Sequence, residues 1–131
     1  MAKILVVDDE PWIRRVLTRM LQKDHAITTA DSVDNALAES ARQRFDLILC
    51  DLRLGDRPGT LLRASLAETD PCQSGRIVFM SGDESELSQL NAPCVGKPFD
   101  GPKIQRLIAR CLNEWGLVCV GDCSKVCAAH R

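Results

Sequence analysis

Three short stretches of uninterrupted apolar residues punctuate the chain: Ile4-Leu5-Val6-Val7, Leu47-Ile48-Leu49-Cys50 and Ile77-Val78-Phe79-Met80. Runs of this length without polar alternation are expected of strands in a parallel sheet covered by helices on both faces. Between the first two runs, Trp12, Val16, Leu17, Met20 and Leu21 recur at helical spacing behind Pro11. A proline suits the first turn of a helix, where its missing N–H costs nothing, so the spacing predicts a first helix that turns these residues inward. Ala26 to Ala30 reads as a weaker second strand. Ser32 can then cap a helix running to about Gln43 that buries Val33, Ala36, Leu37 and Ala41. Asp51 closes the third strand, and Leu52 to Pro58 forms a loop. Leu61, Leu62 and Leu66 mark a helix that ends near Asp70-Pro71, because the residue before a proline avoids the helical region. Cys94-Val95-Gly96 suits a short fifth strand. Ile104, Leu107, Ile108, Cys111 and Leu112 follow Asp100 and Pro102 at helical intervals and predict a last helix that stops before Gly116.

Strand and helix thus alternate five times, without an internal repeat or a linker. Such alternation implies right-handed crossovers, an α/β class and a single doubly wound five-stranded parallel sheet. Its ligand crevice lies beyond the carboxyl ends of the strands, where strand order reverses. Residues 117–131 have no clear place in the pattern and read as a separate C-terminal tail. At 131 residues and 14.5 kDa, with 45% hydrophobic and 27% charged positions, the chain suffices for one domain. Only Phe45, Phe79, Phe99, Trp12 and Trp115 supply aromatic bulk, so the core is expected to be aliphatic.

Seventeen basic against eighteen acidic residues give a net charge of -1 with no dense Lys/Arg stripe, which argues against direct nucleic-acid binding. No apolar run approaches the roughly 18 residues needed to cross a bilayer and no secretory leader is recognisable, so a cytoplasmic protein without membrane contact is expected. Seven cysteines, an odd number scattered through apolar and turn segments, do not form a secreted disulfide framework and are expected to be mostly reduced.

The strand pattern sends Asp8, Asp9, Asp51, Ser81 and Lys97 to one edge of the sheet. Asp8 and Asp9 follow the first strand, Asp51 ends the third, and Ser81 and Lys97 come just after the fourth and fifth. Three carboxylates in one crevice repel one another unless a cation intervenes, and hard oxygen ligands select Mg²⁺ (or Mn²⁺). With a phosphoryl oxygen polarised by the metal, a carboxylate can attack phosphorus while an ammonium and a hydroxyl take up charge on the other oxygens, giving an aspartyl phosphate.

The motifs Val-Asp8-Asp9-Glu10, Leu-Cys-Asp51-Leu with Gly59 eight positions on, Met-Ser81-Gly82 and Lys97-Pro98-Phe99 together resemble the response regulator receiver domain of two-component systems, in its chemotaxis-regulator-like form. The resemblance spans Lys3 to about Trp115, and it assigns residues 1–116 to a receiver domain and 117–131 to a Cys-containing tail. It implies a flavodoxin-like sheet of order 2-1-3-4-5. Asp51 would accept the phosphoryl group, Asp9 bind the metal directly, Asp8 hold it through water, and Arg53 contribute its backbone carbonyl. Ser81, with Gly82 beside it, and Lys97 would bind the phosphoryl oxygens, and Pro98 would follow a cis peptide. The implied donor is a phosphohistidine on a sensor histidine kinase or histidine phosphotransfer protein, and the output an effector protein the sequence does not identify. On this reading the chain is a signalling phosphoacceptor that catalyses only its own phosphorylation and dephosphorylation.

Three features depart from the family pattern. Ser81 to Lys97 spans only sixteen positions, and Gly82 to Gly96 is polar with Leu87 and Leu90 as its spaced apolar anchors, which predicts a short or absent fourth helix. Cys94 stands three before the lysine, where the family usually has an aromatic switch residue. Arg53 and Asp83, two after Asp51 and Ser81, flank the path of water and are expected to modulate dephosphorylation, with an ion pair between them as one arrangement. In the tail, Cys119, Cys123, Cys127 and His130 suggest a metal site, but the spacing differs from common zinc pairs and a weakly docked tail is preferred. His25 is expected at the surface. The competing enzyme is a haloacid-dehalogenase-like phosphohydrolase, which needs a second Asp two after the nucleophile; that position is Arg53, which cannot protonate a leaving group. A start at Met1 favours a single-domain regulator or phosphorelay intermediate over a receiver excised from a hybrid histidine kinase or longer regulator.

Overall fold

The computed structural model describes residues 2–97 and 100–116. Its elements in order are β1 (Lys3–Val7), α1 (Pro11–Leu21), β2 (Ala26–Ala30), α2 (Val33–Arg42), β3 (Leu47–Asp51), β4 (Arg53–Leu54), β5 (Arg57–Pro58), α3 (Thr60–Thr69), α4 (Pro71–Ser74), β6 (Ile77–Ser81), α5 (Glu84–Ser88), β7 (Cys94–Gly96) and α6 (Gly101–Trp115). Five strands form one parallel sheet in the order β2-β1-β3-β6-β7. This is the expected order 2-1-3-4-5, with β4 and β5 forming a separate antiparallel hairpin. The sequence of a doubly wound sheet thus appears with its predicted short fourth crossover helix, here the five-residue α5.

Helix starts follow local chemistry. The Ser32 hydroxyl accepts from Asn35 N at 3.1 Å to cap α2, and the Asp100 carboxylate accepts from Lys103 N at 3.3 Å to cap α6. Pro11 occupies the first turn of α1. Because successive strand residues face opposite ways, the sheet builds two cores. Ile4, Val6, Leu49 and Met80 pack with Leu17 of α1 and Ile108 of α6, while Leu5, Val7, Ile48 and Phe79 pack with Ala36 of α2 and Leu62 of α3.

Some inward positions differ from the sequence expectation. Trp12 is 58% exposed, and the buried stripe of α1 is Ile13, Leu17 and Leu21, one position out of phase with the tryptophan. On α2, Ala41 faces solvent and Ser40 is buried, because the helix turns 33, 36 and 40 onto the sheet. The segment Leu52 to Pro58 is a hairpin in place of an irregular loop, and α4 follows α3 directly at Pro71; elements of two to four residues carry no readable periodicity. At the amino end of the sheet the buried Arg76 donates to the carbonyls of Asp46 at 3.1 Å, Trp115 at 3.1 Å and Gly116 at 2.8 Å, tying down the C-terminus of α6. Among the described residues, Cys50, Cys94 and Cys111 are free thiols. Among the described residues no helix is long and apolar enough to cross a membrane.

Candidate functional site

The strand register sets the site. Val7 is paired with Cys50, Asp51 with Met80 and Ser81 with Gly96, so β1, β3, β6 and β7 end almost level. The residues just past those ends therefore meet in one crevice. Asp8 is completely buried, Asp51 and Ser81 are nearly so, and Asp9 is exposed. Lys97 bridges the two buried acids, with Nζ 3.0 Å from Asp8 Oδ2 and 2.9 Å from Asp51 Oδ2. Each acid's second oxygen accepts a backbone N–H: Asp8 Oδ1 from Glu10 at 2.9 Å and Asp51 Oδ1 from Arg53 at 3.2 Å. Asp9 Oδ2 accepts from Gly55 N at 3.1 Å. The Ser81 hydroxyl accepts from Asp83 N at 3.0 Å, and Gly82 beside it leaves open space where a side chain would stand.

These groups line a cleft of about 420 Å³ with Asp9, Glu10, Asp51, Arg53, Gly55, Ser81, Gly82, Asp83, Glu86 and Lys97 in its walls. Its electrostatics are those of crowded acids. Burial pushes the Asp8 carboxyl above its ordinary value, with the Asp51 charge adding to the effect and the Glu10 N–H and Lys97 opposing it. Burial works against the charge on Lys97, but its hydrogen bonds to Asp51 and Asp8 outweigh it, and the ammonium is held more firmly than that of an ordinary lysine. Burial likewise raises the Cys50 thiol far above its usual value, so it stays protonated beneath Asp51.

Lys97 compensates only one of the three negative charges on Asp8, Asp9 and Asp51, leaving two. Ligand oxygens of Asp8, Asp9 and Glu10 lie within 4.8 Å of one another. All the donors are hard oxygens in a site with excess negative charge, so the residues present fit Mg²⁺.

Asp8, Asp9, Asp51, Ser81, Gly82 and Lys97 thus stand where the sequence places them. Arg53 and Asp83 also reach the cleft, but their ion pair does not form. The Asp83 carboxylate accepts from Ser85 N at 2.9 Å and Ser85 Oγ at 2.6 Å, starting α5, while the Arg53 guanidinium turns to Glu86. Cys94 is half-buried against the α2/α3 core in place of an aromatic ring, its thiol 3.9 Å from the Leu87 carbonyl. Expectations for Pro98 and for the tail residues Cys119, Cys123, Cys127 and His130 lie outside the described residues.

Sequence reasoning missed Glu86 and Gly55. Nothing local marks an ion pair spanning 33 positions, whereas Gly55, with φ of 65° in the hairpin turn, is a glycine in a polar loop whose conformation alone flags it. Gly59 also acquires a physical reason. A Cβ there would overlap the Asp51 carbonyl oxygen and lie 3.1 Å from Cys50 Sγ, so only glycine lets the start of α3 approach the end of β3.

A family model for the response regulator receiver domain matches residues 4–109. The sensory transduction protein LytT of Enterococcus faecalis is 32% identical over 120 residues, which cover 86% of this chain and 49% of LytT, so the chain spans about half of that relative. Response regulator TrrA from Thermotoga maritima, solved in complex with Mg(2+)-BeF, superposes with a TM-score of 0.76 at 26% identity over 86% of this chain and 100% of TrrA. Chemotaxis response regulator CheY4 of Vibrio cholerae superposes with a TM-score of 0.75 at 24% identity over 86% and 99% of the two chains.

Proposed function

Because the chain belongs to the response regulator receiver domain family, we propose that its Asp51 is the carboxylate that receives the phosphoryl group, from a phosphohistidine on a sensor histidine kinase or histidine phosphotransfer protein. The observation that carries this reading is the Lys97 ammonium shared by Asp8 and Asp51 at the mouth of the sheet. A lysine in that position orients Asp51 before reaction and takes up charge on the phosphoryl oxygens during it.

Asp8, Asp9 and Asp51, with the Arg53 backbone carbonyl, are the residues that would hold Mg²⁺ (or Mn²⁺), which when bound polarises the phosphoryl oxygens. Asp51 attacks phosphorus; its carboxylate oxygen forms the new P–O bond as the bond from phosphorus to the donor nitrogen breaks, and that electron pair leaves with the imidazole. Ser81, whose hydroxyl proton is free while its oxygen accepts from Asp83 N, donates to a phosphoryl oxygen, and the bare backbone at Gly82 gives the group room. Burial of Asp8 and the protonated Cys50 beneath keep water from the rear of the site.

The deep placement of Asp51 favours a stoichiometric acyl phosphate over turnover of small phosphate esters, and the Arg53 guanidinium, engaged by Glu86, provides no acid for a leaving group. The division into a receiver at 1–116 and a tail at 117–131 belongs to the same proposal. Incubation with acetyl phosphate and Mg²⁺ followed by intact mass measurement tests it. The expected result is a gain of one phosphate by the natural chain and none by Asp51→Asn; equal gains by both would overturn the assignment.

A further inference from the structure

The guanidinium of Arg53 crosses the cleft to the far wall. Its Nε and Nη2 donate to the same oxygen of Glu86, at 3.2 and 2.9 Å. Both side chains line the cleft with Asp51, and Arg53 is 76% exposed against 28% for Glu86, so the arginine is the partner with space around it. Glu86 sits on α5, whose other anchors are the Asp83 cap and Leu87 packed against the α2/α3 core. The Arg53–Glu86 contact therefore ties β4, which begins two residues after Asp51, to the short helix α5 flanking the crevice. Asp83 and Asp51 also act on the guanidinium, after Glu86.

We infer that Glu86 holds Arg53 away from the phosphoryl position, and that phosphorylation of Asp51 transfers the guanidinium from Glu86 to the phosphoryl oxygens and releases α5. The inference rests on Asp51 being the phosphoacceptor. An exposed ion pair is weak and easily exchanged. A phosphoryl group offers the arginine several oxygens and a greater charge than one carboxylate, and two of those oxygens can accept the planar guanidinium fork as a bidentate pair. Once moved, Arg53 covers the face of phosphorus from which water approaches, and α5 loses its tether to β4. The switch requires no rotating aromatic, consistent with Cys94 in the place where such a ring would pack. Glu86 is on this account a positioning residue acting through Arg53.

The test compares the natural chain, Glu86→Gln, Arg53→Ala and the double variant, each loaded with acetyl phosphate and Mg²⁺, freed of donor and followed by intact mass. Removing the competing carboxylate frees Arg53 for the phosphoryl group, so Glu86→Gln should lengthen the acyl-phosphate half-life by about two- to fivefold, the range that an exposed ion pair supplies. In the Arg53→Ala background the same substitution should have no effect. Hydrogen exchange at the amides of residues 84–88 gives a second readout: it should quicken on phosphorylation of the natural chain and be already quick in unphosphorylated Arg53→Ala. An unchanged half-life in Glu86→Gln, or an equal change with and without Arg53, overturns the inference while leaving Asp51 as the acceptor. Absence of any phosphate gain in the natural chain overturns both.

Discussion

At the scale of single residues, the site depends on contacts too close to tolerate even small changes. Gly59 has an ordinary helical backbone, so its role is spatial: the carbonyl of Asp51 occupies the place of a side chain. Gly59→Ala is expected to force β3 and α3 apart, costing about 1–3 kcal/mol in urea unfolding as overpacking does, and to slow phosphoryl uptake by displacing Asp51. A variant with natural stability and uptake would contradict this. Asp8, Asp9, Asp51 and Ser81 were legible in the sequence because they lie at the ends of continuous apolar runs, and an apolar run fixes where a strand ends; Lys97 follows the shorter Cys94-Val95-Gly96 strand. Trp12 was misread for a related reason. It satisfies the helical spacing, but its size hid Ile13, which continues the 13, 17, 21 stripe and is the residue that burial selects.

At the scale of elements, long periodic segments were read correctly, while the β4–β5 hairpin, α4 and the Glu86 tether were not. These features are set by tertiary contacts: Gly55 N on Asp9 pins the hairpin, and the Asp70 carboxylate caps α4 by accepting from Gln73 N. The attachment of α6 is a further case. Its start is encoded by Asp100, but its end is held by Arg76, from the opposite side of the sequence, through the carbonyls of Trp115 and Gly116. Arg76→Met retains the apolar stem but leaves those carbonyls without their charged donor. Loss of at least about 2 kcal/mol of stability is expected, since buried groups stripped of a partner cost that order. Urea unfolding measures the loss, and faster hydrogen exchange along α6 locates it; exchange unchanged in α6 would contradict the assigned role.

At the scale of the whole molecule, the level strand ends concentrate negative charge at one edge of an otherwise nearly neutral chain of net charge -1. This concentration opposes folding unless a cation is bound. Asp8 is the most costly member, completely buried and sharing one ammonium with Asp51. Without divalent cations, Asp8→Asn should therefore melt at a higher temperature than the natural chain. Mg²⁺ should stabilise the natural chain, by about 2.7 kcal/mol at a hundredfold excess over Kd, and Asp8→Asn much less, which narrows or reverses the order. Thermal melts with chelator and with Mg²⁺ check both; a natural chain indifferent to Mg²⁺ would mean that the crowded acids are reconciled by Lys97 alone.

The central claim is that these acids form a metal-assisted phosphoryl site centred on Asp51. A crystal structure of the full chain grown with Mg²⁺ and beryllofluoride tests it most directly. The account predicts beryllofluoride bonded to an oxygen of Asp51, contacts to it from Ser81 and Lys97, and the cation among Asp8, Asp9 and the Arg53 carbonyl. A crevice free of both, with Lys97 still spanning Asp8 and Asp51, would contradict it.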